Sequence, residues 1–122
     1  MSEMLSENFS VEEMRCQCGC DGLVISAALI SLLQKLRDYI NRPIIVNSGY
    51  RCKSHNEAVG GVENSYHTQG MAADIRVNGM SVEELATLCK WCGFKGVGIY
   101  RKKGFVHVDV RLVEKVVIFE GK

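Results

Sequence analysis

The sequence has no apolar run long enough for a transmembrane helix, no internal repeat and no low-complexity segment. Its net charge is only +1, and no extended basic run or basic–aromatic alternation indicates a nucleic-acid surface. The first seven residues are acidic and polar, which is unlike a secretory signal. We therefore expect a monomer made in the cytoplasm, with neither nucleic acid nor membrane as a partner.

The 122 residues are 47% hydrophobic and 24% charged, as is typical of one globular domain, and we expect that domain to span residues 1–122. Apolar residues recur at helical spacing over residues 26–40, and Pro43, the only proline, prevents continuation. A second helix is predicted over residues 81–92. Strands are predicted over residues 44–48, 72–77, 94–100 (broken up by Gly96 and Gly98), 105–111 and 116–119. This order predicts an α+β domain with a small, mainly antiparallel sheet packed against helices.

The most informative stretch is a histidine, six intervening residues and an aspartate, His67 to Asp74. Asp74 lies in a predicted strand whose alternation puts Ala73 and Ile75 on one side and Asp74 on the other. His67 precedes this strand, and Gly70 lets the chain turn back between them. One loop and one strand could therefore place two ligands on a divalent cation such as zinc.

A third ligand is offered by the alternating residues 105–111. Val106 and Val108 form the predicted core face, so His107 and Asp109 share the opposite face, roughly 6.6 to 6.8 Å apart. A lone histidine is usually an ordinary surface or hydrogen-bonding residue. His67, Asp74 and His107 together favour a metal site, and such a set leaves one position of a tetrahedral zinc open, as in catalytic sites.

Several short motifs together resemble the zinc D-Ala-D-Ala carboxypeptidase family of peptidoglycan peptidases, in particular its small single-domain members from bacteria and phages. The resemblance runs from about residue 9 to residue 111. The motifs are Ser48-Gly49-Tyr50-Arg51, Asn56 with Gly60-Gly61, Ser65-x-His67-x-x-Gly70-x-Ala72-x-Asp74-Ile75, Gly96-x-Gly98-x-Tyr100 and Phe105-Val106-His107-Val108-Asp109.

The resemblance implies one catalytic zinc and a substrate that is a peptidoglycan stem peptide or cross-link. It also implies that Arg51 lies in the active site, where it polarises the scissile carbonyl or holds the developing oxyanion. Tyr50, Ser65 and Gln69 are the expected substrate-binding residues.

The general base is the point at which the sequence departs from part of that family. Several members carry an acidic base three residues before the last histidine, and here that position is Gly104. Asp109 is the nearest replacement as general base, since the strand geometry allows it. Its alternative role is that of a carboxylate that orients a histidine ligand.

Three of the six cysteines, Cys16, Cys18 and Cys20, lie close enough to converge, and Cys52 could approach them. A second, structural metal, disulfides, and reduced, partly buried thiols all remain open for this cluster. We predict that it stabilises the N-terminal segment and takes no part in the chemistry. The remaining pair, at positions 89 and 92, shares one face of a predicted helix, and there we expect reduced structural thiols.

Two classes of function follow from the resemblance. The first is a zinc peptidase that hydrolyses an amide bond in peptidoglycan, acting on the cell wall, with phage-type release as one route. The second is a non-catalytic zinc-containing binding domain, since the signalling domain of Hedgehog proteins shares this fold. A cysteine hydrolase is disfavoured because no Cys–His pair stands out. The bond that is cut, and the choice between phage lysin and host enzyme, remain open.

Overall fold

The computed structural model describes residues 3–20, 22–63 and 65–122. Within these ranges the chain forms helices and strands in an order that confirms the α+β class. The elements are α1 (Val11–Met14), α2 (Ala27–Ile40), β1 (Ile45–Ser48), α3 (Lys53–Ala58), a 3-10 helix (Tyr66–Gln69), β2 (Ala72–Arg76), α4 (Val82–Cys92), β3 (Gly96–Tyr100), β4 (Phe105–Asp109) and β5 (Val117–Glu120).

The strands form one sheet in the order β1-β2-β4-β3-β5. The pairs β1–β2, β2–β4 and β4–β3 are antiparallel, and β5 lies parallel to β3 at one edge. The mainly antiparallel sheet predicted from the sequence is thereby confirmed. The two strands predicted to carry metal ligands, β2 and β4, are neighbours in the middle of this order.

Side-chain caps set the start of the helices. The Ser26 Oγ accepts the Leu29 N–H at the start of α2, and the Ser81 hydroxyl accepts the Glu84 N–H at the start of α4. Helix α4 ends at Gly93, which has a left-handed conformation with φ of 110°. Across the described parts of the chain, no helix combines the length and apolar character needed to cross a membrane.

The core lies between the two long helices and one face of the sheet. Buried side chains from α2, α4 and the central strands meet there, so the opposite face of β2 and β4 is left for polar residues. Cys89 and Cys92 belong to this core as free thiols, in agreement with the prediction for that pair. The main core residues are Leu29, Leu33, Leu36, Ile75, Leu85, Phe94, Val97, Val106 and Val108.

Strand β3 is continuous, whereas the sequence predicted that its glycines would interrupt it. Gly96 pairs with Asp109 and Gly98 with His107 on the neighbouring strand. A Cβ atom at Gly96 would lie 2.1 to 2.3 Å from the Asp109 carboxylate, and one at Gly98 would lie 2.4 Å from the Phe119 ring. The two glycines therefore make room for side chains of neighbouring strands without breaking the strand.

Candidate active site

His67 lies in the 3-10 helix that leads into β2, where the sequence predicted a loop. Ser65 caps this helix, because its Oγ accepts the His67 N–H at 3.1 Å. His67 Nδ1 lies 2.8 Å from the Gly49 carbonyl oxygen. Since a carbonyl oxygen only accepts, Nδ1 carries the proton. The lone pair of this buried ring is therefore on Nε2, which lies 3.2 Å from Asp74 Oδ1.

Strand register brings Asp74 and His107 together, since the two residues pair directly across β2 and β4. Their side chains share the face opposite the core. His107 Nε2 lies 2.8 Å from Asp109 Oδ2, and an ionised carboxylate only accepts, so Nε2 carries the proton. The lone pair of His107 is consequently on Nδ1, which lies 3.1 Å from Asp74 Oδ1.

Three acceptor atoms thus face one another, since His67 Nε2 and His107 Nδ1 lie 3.2 and 3.1 Å from Asp74 Oδ1. Each of the three residues offers a ligand atom within 4.8 Å of the other two. Converging lone pairs repel unless a cation or protons lie between them. Around a tetrahedral zinc with bonds of about 2.0 to 2.1 Å, neighbouring ligand atoms lie about 3.3 to 3.4 Å apart. The measured 3.1 and 3.2 Å are close to that spacing. The residues therefore fit a zinc ion and leave a fourth coordination position free.

The charge states of these groups follow from their surroundings. Burial by itself would raise the pKa of Asp74, but His107 and His67, which donate to this carboxylate whenever their rings are protonated, hold that pKa well below its usual value. Burial by itself would lower the pKa of His107, but hydrogen bonds to Asp109 and Asp74 outweigh that effect and raise it. Asp74 is thus ionised at neutral pH, and a proton competes with a metal ion for His107 in the metal-free protein.

The Arg51 guanidinium lies beside the ligand carboxylate, with Nη2 donating to Asp74 Oδ2 at 3.1 Å. Two further hydrogen bonds fix its orientation, from Nε to Ser48 Oγ at 3.1 Å and from Nη1 to Asn56 Oδ1 at 3.2 Å. Its main-chain N–H donates to the His67 carbonyl oxygen at 3.1 Å. Arg51 therefore connects the end of β1, helix α3 and the 3-10 helix that carries His67.

Asp109 is fully buried, and both of its oxygens are occupied. Arg111 donates Nε to Oδ1 at 2.8 Å, Nη2 to Oδ2 at 2.7 Å and its main-chain N–H to Oδ1 at 3.2 Å. His107 Nε2 supplies the fourth hydrogen bond. A carboxylate that accepts the distal N–H of a ligand histidine fixes the orientation of its ring, so the geometry favours the orienting role over that of general base.

The side chains of His67, Asp74 and His107 open onto a groove of about 360 Å³. Strand β5 supplies part of its wall, since the Phe119 ring centroid lies 5.5 Å from that of His107. The Arg111 guanidinium carbon lies 4.7 Å from the centroid of the Tyr66 ring, a cation–π distance. The remaining lining includes Arg51, Ser65, Tyr100, Lys103 and Phe105.

Of the three predicted substrate-binding residues, Ser65 alone lines the groove, and its Oγ is already engaged with the His67 N–H. Gln69 is exposed and is not among the groove residues. Tyr50 is also outside the groove. Its ring lies 3.3 Å from where a Cβ atom of Gly22 would be, near the cysteine segment. Arg51, the residue after Tyr50, does line the groove.

Two residues of the site were not assigned a role from the sequence. Asn56 is buried, accepts from Arg51 and donates Nδ2 to the Val62 carbonyl oxygen at 2.8 Å. Arg111 holds Asp109 by the hydrogen bonds described above. Its position two residues after Asp109, on the same face by strand alternation, was the available signal.

The cysteine cluster lies apart from this groove. Its fourth member, Cys52, joins Cys16, Cys18 and Cys20, and the four sulfur atoms all lie within 4.8 Å of one another. All six cysteines of the chain fall in the described ranges and are free. The disulfide alternative is thus not the arrangement seen. The third histidine, His55, is half-buried on α3 outside the groove.

A histidine–aspartate–histidine set with one free position is the arrangement of hydrolytic zinc proteins. Comparison with known families shows to which family of such proteins this chain belongs. The family described as Peptidase M15 matches residues 7–109, most of the chain, so this chain belongs to the peptidase M15 family.

Curated relatives extend the comparison. The chain is 29% identical over 92 residues to the peptidoglycan L,D-endopeptidase MepK of Escherichia coli (strain K12), covering 70% of this chain and 50% of that protein. It is 35% identical over 97 residues to the zinc D-Ala-D-Ala carboxypeptidase of Streptomyces albus G, covering 71% of this chain and 38% of that protein. The matched region therefore spans half or less of the length of these relatives.

Proposed function

We propose that this chain is a zinc-dependent peptidase that hydrolyses an amide bond in the peptide part of bacterial peptidoglycan and acts on the cell wall. The observation that carries the proposal is the convergence of two imidazole lone pairs and one carboxylate oxygen beside a groove. The substrate class rests on the names of the relatives, an L,D-endopeptidase of peptidoglycan and a D-Ala-D-Ala carboxypeptidase. Both carboxypeptidase and endopeptidase activity fit this proposal.

His67 Nε2, Asp74 and His107 Nδ1 would hold the zinc. When bound, zinc acts as a Lewis acid that lowers the pKa of a water to roughly 7 and polarises a carbonyl group. The chain prepares the ligands for this ion, because the Gly49 carbonyl and the Asp109 carboxylate fix the tautomer of each histidine. Both lone pairs thus face the same point without further rearrangement.

Arg51 is proposed to stabilise the negative charge that develops on the oxygen of the scissile carbonyl. Its guanidinium has five N–H donors, and three of its hydrogen bonds go to Ser48, Asn56 and Asp74. Since these contacts hold the group rigidly at the groove, it can donate to the substrate without reorganisation. Lysine would place a charge there but would lack the planar fork.

Asp109 is proposed to orient His107. A role as general base would require it to exchange hydrogen bonds with Arg111 for contact with a water, and the side chain has no exposed surface. Among the described residues that line the groove, Asp74 is the one carboxylate, and it is a proposed metal ligand.

This shortage of carboxylates favours a second candidate function, a non-catalytic zinc-containing domain that binds a wall peptide. Position 104, which is acidic in several members of the family that the sequence resembles, is a glycine here. A site of this kind would keep the zinc ligands and the groove while lacking a group to accept the proton of the attacking water.

Turnover of purified peptidoglycan, measured with and without a chelator, separates the two candidates. A peptidase releases fragments, stops when chelated and recovers with zinc, and mass spectrometry of fragments from defined muropeptides identifies the bond that is cut. His67→Ala should abolish release, whereas His55→Ala, a histidine substitution outside the groove, should not. Zinc-dependent binding of the peptides without any release would instead identify the binding domain.

A further inference from the structure

Four sulfur atoms converge at a place that the proposed hydrolysis does not use. The Sγ atoms of Cys16 and Cys18 are 3.4 Å apart, and those of Cys18 and Cys52 are 3.6 Å apart. Cys20 completes the group, with all four sulfur atoms within 4.8 Å of one another. Cys52 comes from a segment more than thirty residues away in the chain, so the fold itself assembles this cluster.

The spacing of the sulfur atoms matches tetrahedral coordination of one metal ion. Four thiolates bonded to zinc at about 2.3 Å lie about 3.8 Å from each other. A disulfide would instead bring two sulfur atoms to about 2.05 Å and separate the four thiols into pairs. Sulfur-only tetrahedral sets are typical of zinc or iron. Among the residues that the structure describes, the cluster groups four cysteines with no histidine or carboxylate, which indicates a closed site.

Main-chain N–H groups surround the sulfur atoms. The Cys52 N–H donates to Cys16 Sγ at 3.3 Å, and the Gly22 N–H donates to Cys20 Sγ at 3.3 Å. The His55 N–H donates to Cys52 Sγ at 3.4 Å. Three of the four sulfur atoms thus accept a main-chain hydrogen bond, which stabilises thiolate charge and orients metal ligands.

We infer that the chain holds a second zinc ion in a closed, structural site with four thiolate ligands, Cys16, Cys18, Cys20 and Cys52. No coordination position is left for water or substrate, so the ion contributes stability and no hydrolysis. The site is independent of the histidine set, with which it shares no ligand.

Its position indicates what it stabilises. Residues 49–52 lie between the two ligand sets: the Tyr50 N–H donates to the Met14 carbonyl oxygen at 2.7 Å, and the Arg51 N–H donates to the His67 carbonyl oxygen. The Gly49 carbonyl oxygen accepts from His67 Nδ1, and Cys52 would bind the thiolate zinc. The second zinc would therefore fix the segment that carries Arg51 and orients His67.

The test counts zinc in the full chain, purified without chelator, and replaces zinc with cobalt to detect thiolate-to-cobalt charge transfer. Wild type should hold two zinc ions per chain and show the charge-transfer absorption. The double variant His67→Ala/His107→Ala should hold one and keep the absorption. Cys18→Ser/Cys20→Ser should hold one and lose it, and because both residues are exposed, these changes do not disturb the core. Cys92→Ala, a cysteine outside the cluster, should hold two.

Other results overturn the inference. Wild type without charge-transfer absorption, or with iron in place of zinc at the cysteines, contradicts a thiolate zinc site. Disulfides in protein purified under reducing conditions do so as well. Failure of the proposed hydrolytic site looks different: wild type then holds a single zinc, the absorption is present, and the histidine variant does not reduce the zinc content.

Discussion

The two ligand sets are assembled in opposite ways. His67, Asp74 and His107 are each 9% exposed or less and are positioned by strand pairing and a capped 3-10 helix. Three of the four cysteines lie within residues 16–20, a segment without helix or strand, and two of these are exposed.

This difference separates a preorganised site from one that depends on its metal. Hydrogen bonds to the Gly49 carbonyl and to Asp109 orient the two histidines of the metal-free protein. Residues 16–20 belong to no helix or strand, so an ion that joins them to Cys52 would hold this segment in place. We therefore expect the first set to control activity with little effect on the fold, and the second to control local stability with little effect on the chemistry.

The largest effect is expected from removing a ligand of the preorganised set. His107→Ala should reduce peptidoglycan hydrolysis to the level of chelated protein. It should also remove one zinc ion, because the two remaining ligands are too few to hold the metal. The fold should persist, since Val106 and Val108 still anchor β4 in the core. Zinc content, turnover and circular dichroism measure the three quantities. Full zinc at a non-cysteine site in the His67→Ala/His107→Ala double variant would show that the ligand assignment is wrong.

A smaller effect is expected at Arg51, which contacts the histidine set without binding the metal. Arg51→Lys keeps the charge but loses the fork that donates to Ser48, Asn56 and Asp74. We expect kcat to fall about 10² to 10³-fold, as for loss of one oxyanion-stabilising donor, with zinc content unchanged. Steady-state kinetics on a defined muropeptide is the measurement, and Arg42→Lys, on an exposed arginine outside the groove, is the matched control. Normal kcat would exclude Arg51 from the reaction.

Asp109→Asn tests how the histidine set is held in place. If Asp109 orients His107, zinc affinity should weaken by about 10 to 100-fold and activity should recover with added zinc. If it is the general base, kcat should instead fall by about 10² to 10⁴-fold at saturating zinc. Measuring kcat across a zinc titration distinguishes the two. Full zinc affinity with normal kcat rules out both roles, and the exposed carboxylates Glu57 and Glu63 are then the next candidates for the base.

The sequence predicted the two long helices, the positions of the five strands and the three proposed metal ligands, because alternation and capping are local signals. It could not predict which β2 residue pairs with His107, since register depends on the packing of the whole sheet. The four hydrogen bonds to Asp109 were missed for a similar reason. They require the Arg111 side chain to reach the Asp109 carboxylate and Gly96, on the neighbouring strand, to leave space for that carboxylate.

The position of Tyr50, predicted to bind substrate but placed outside the groove, has a local reason. Strand β1 has a register irregularity between Val46 and Ser48, just before the segment that carries Tyr50 and Arg51. Such an irregularity changes the direction in which the following side chains point, and the sequence does not show its position. The contact of Cys52 with residues 16–20 was equally beyond local reasoning, because it is set by the path of the chain between them.

The smallest effect on catalysis is expected from the cysteine set, and it tests whether the two regions are coupled. In Cys18→Ser/Cys20→Ser the histidine set keeps its strand pairing, so its zinc should remain and kcat should fall by less than about tenfold, equivalent to about 1.4 kcal/mol. The fall should arise from looser positioning of Arg51, because Cys52 follows it directly and would no longer be joined to Cys18 and Cys20 through the metal. Amide hydrogen exchange should therefore increase over residues 49–52 but remain unchanged in β2 and β4. Cys92→Ala serves as the control for loss of a thiol. Unchanged exchange over residues 49–52 would mean that the cysteine set stabilises only the N-terminal segment, and that Arg51 is held by Ser48, Asn56 and Asp74 alone.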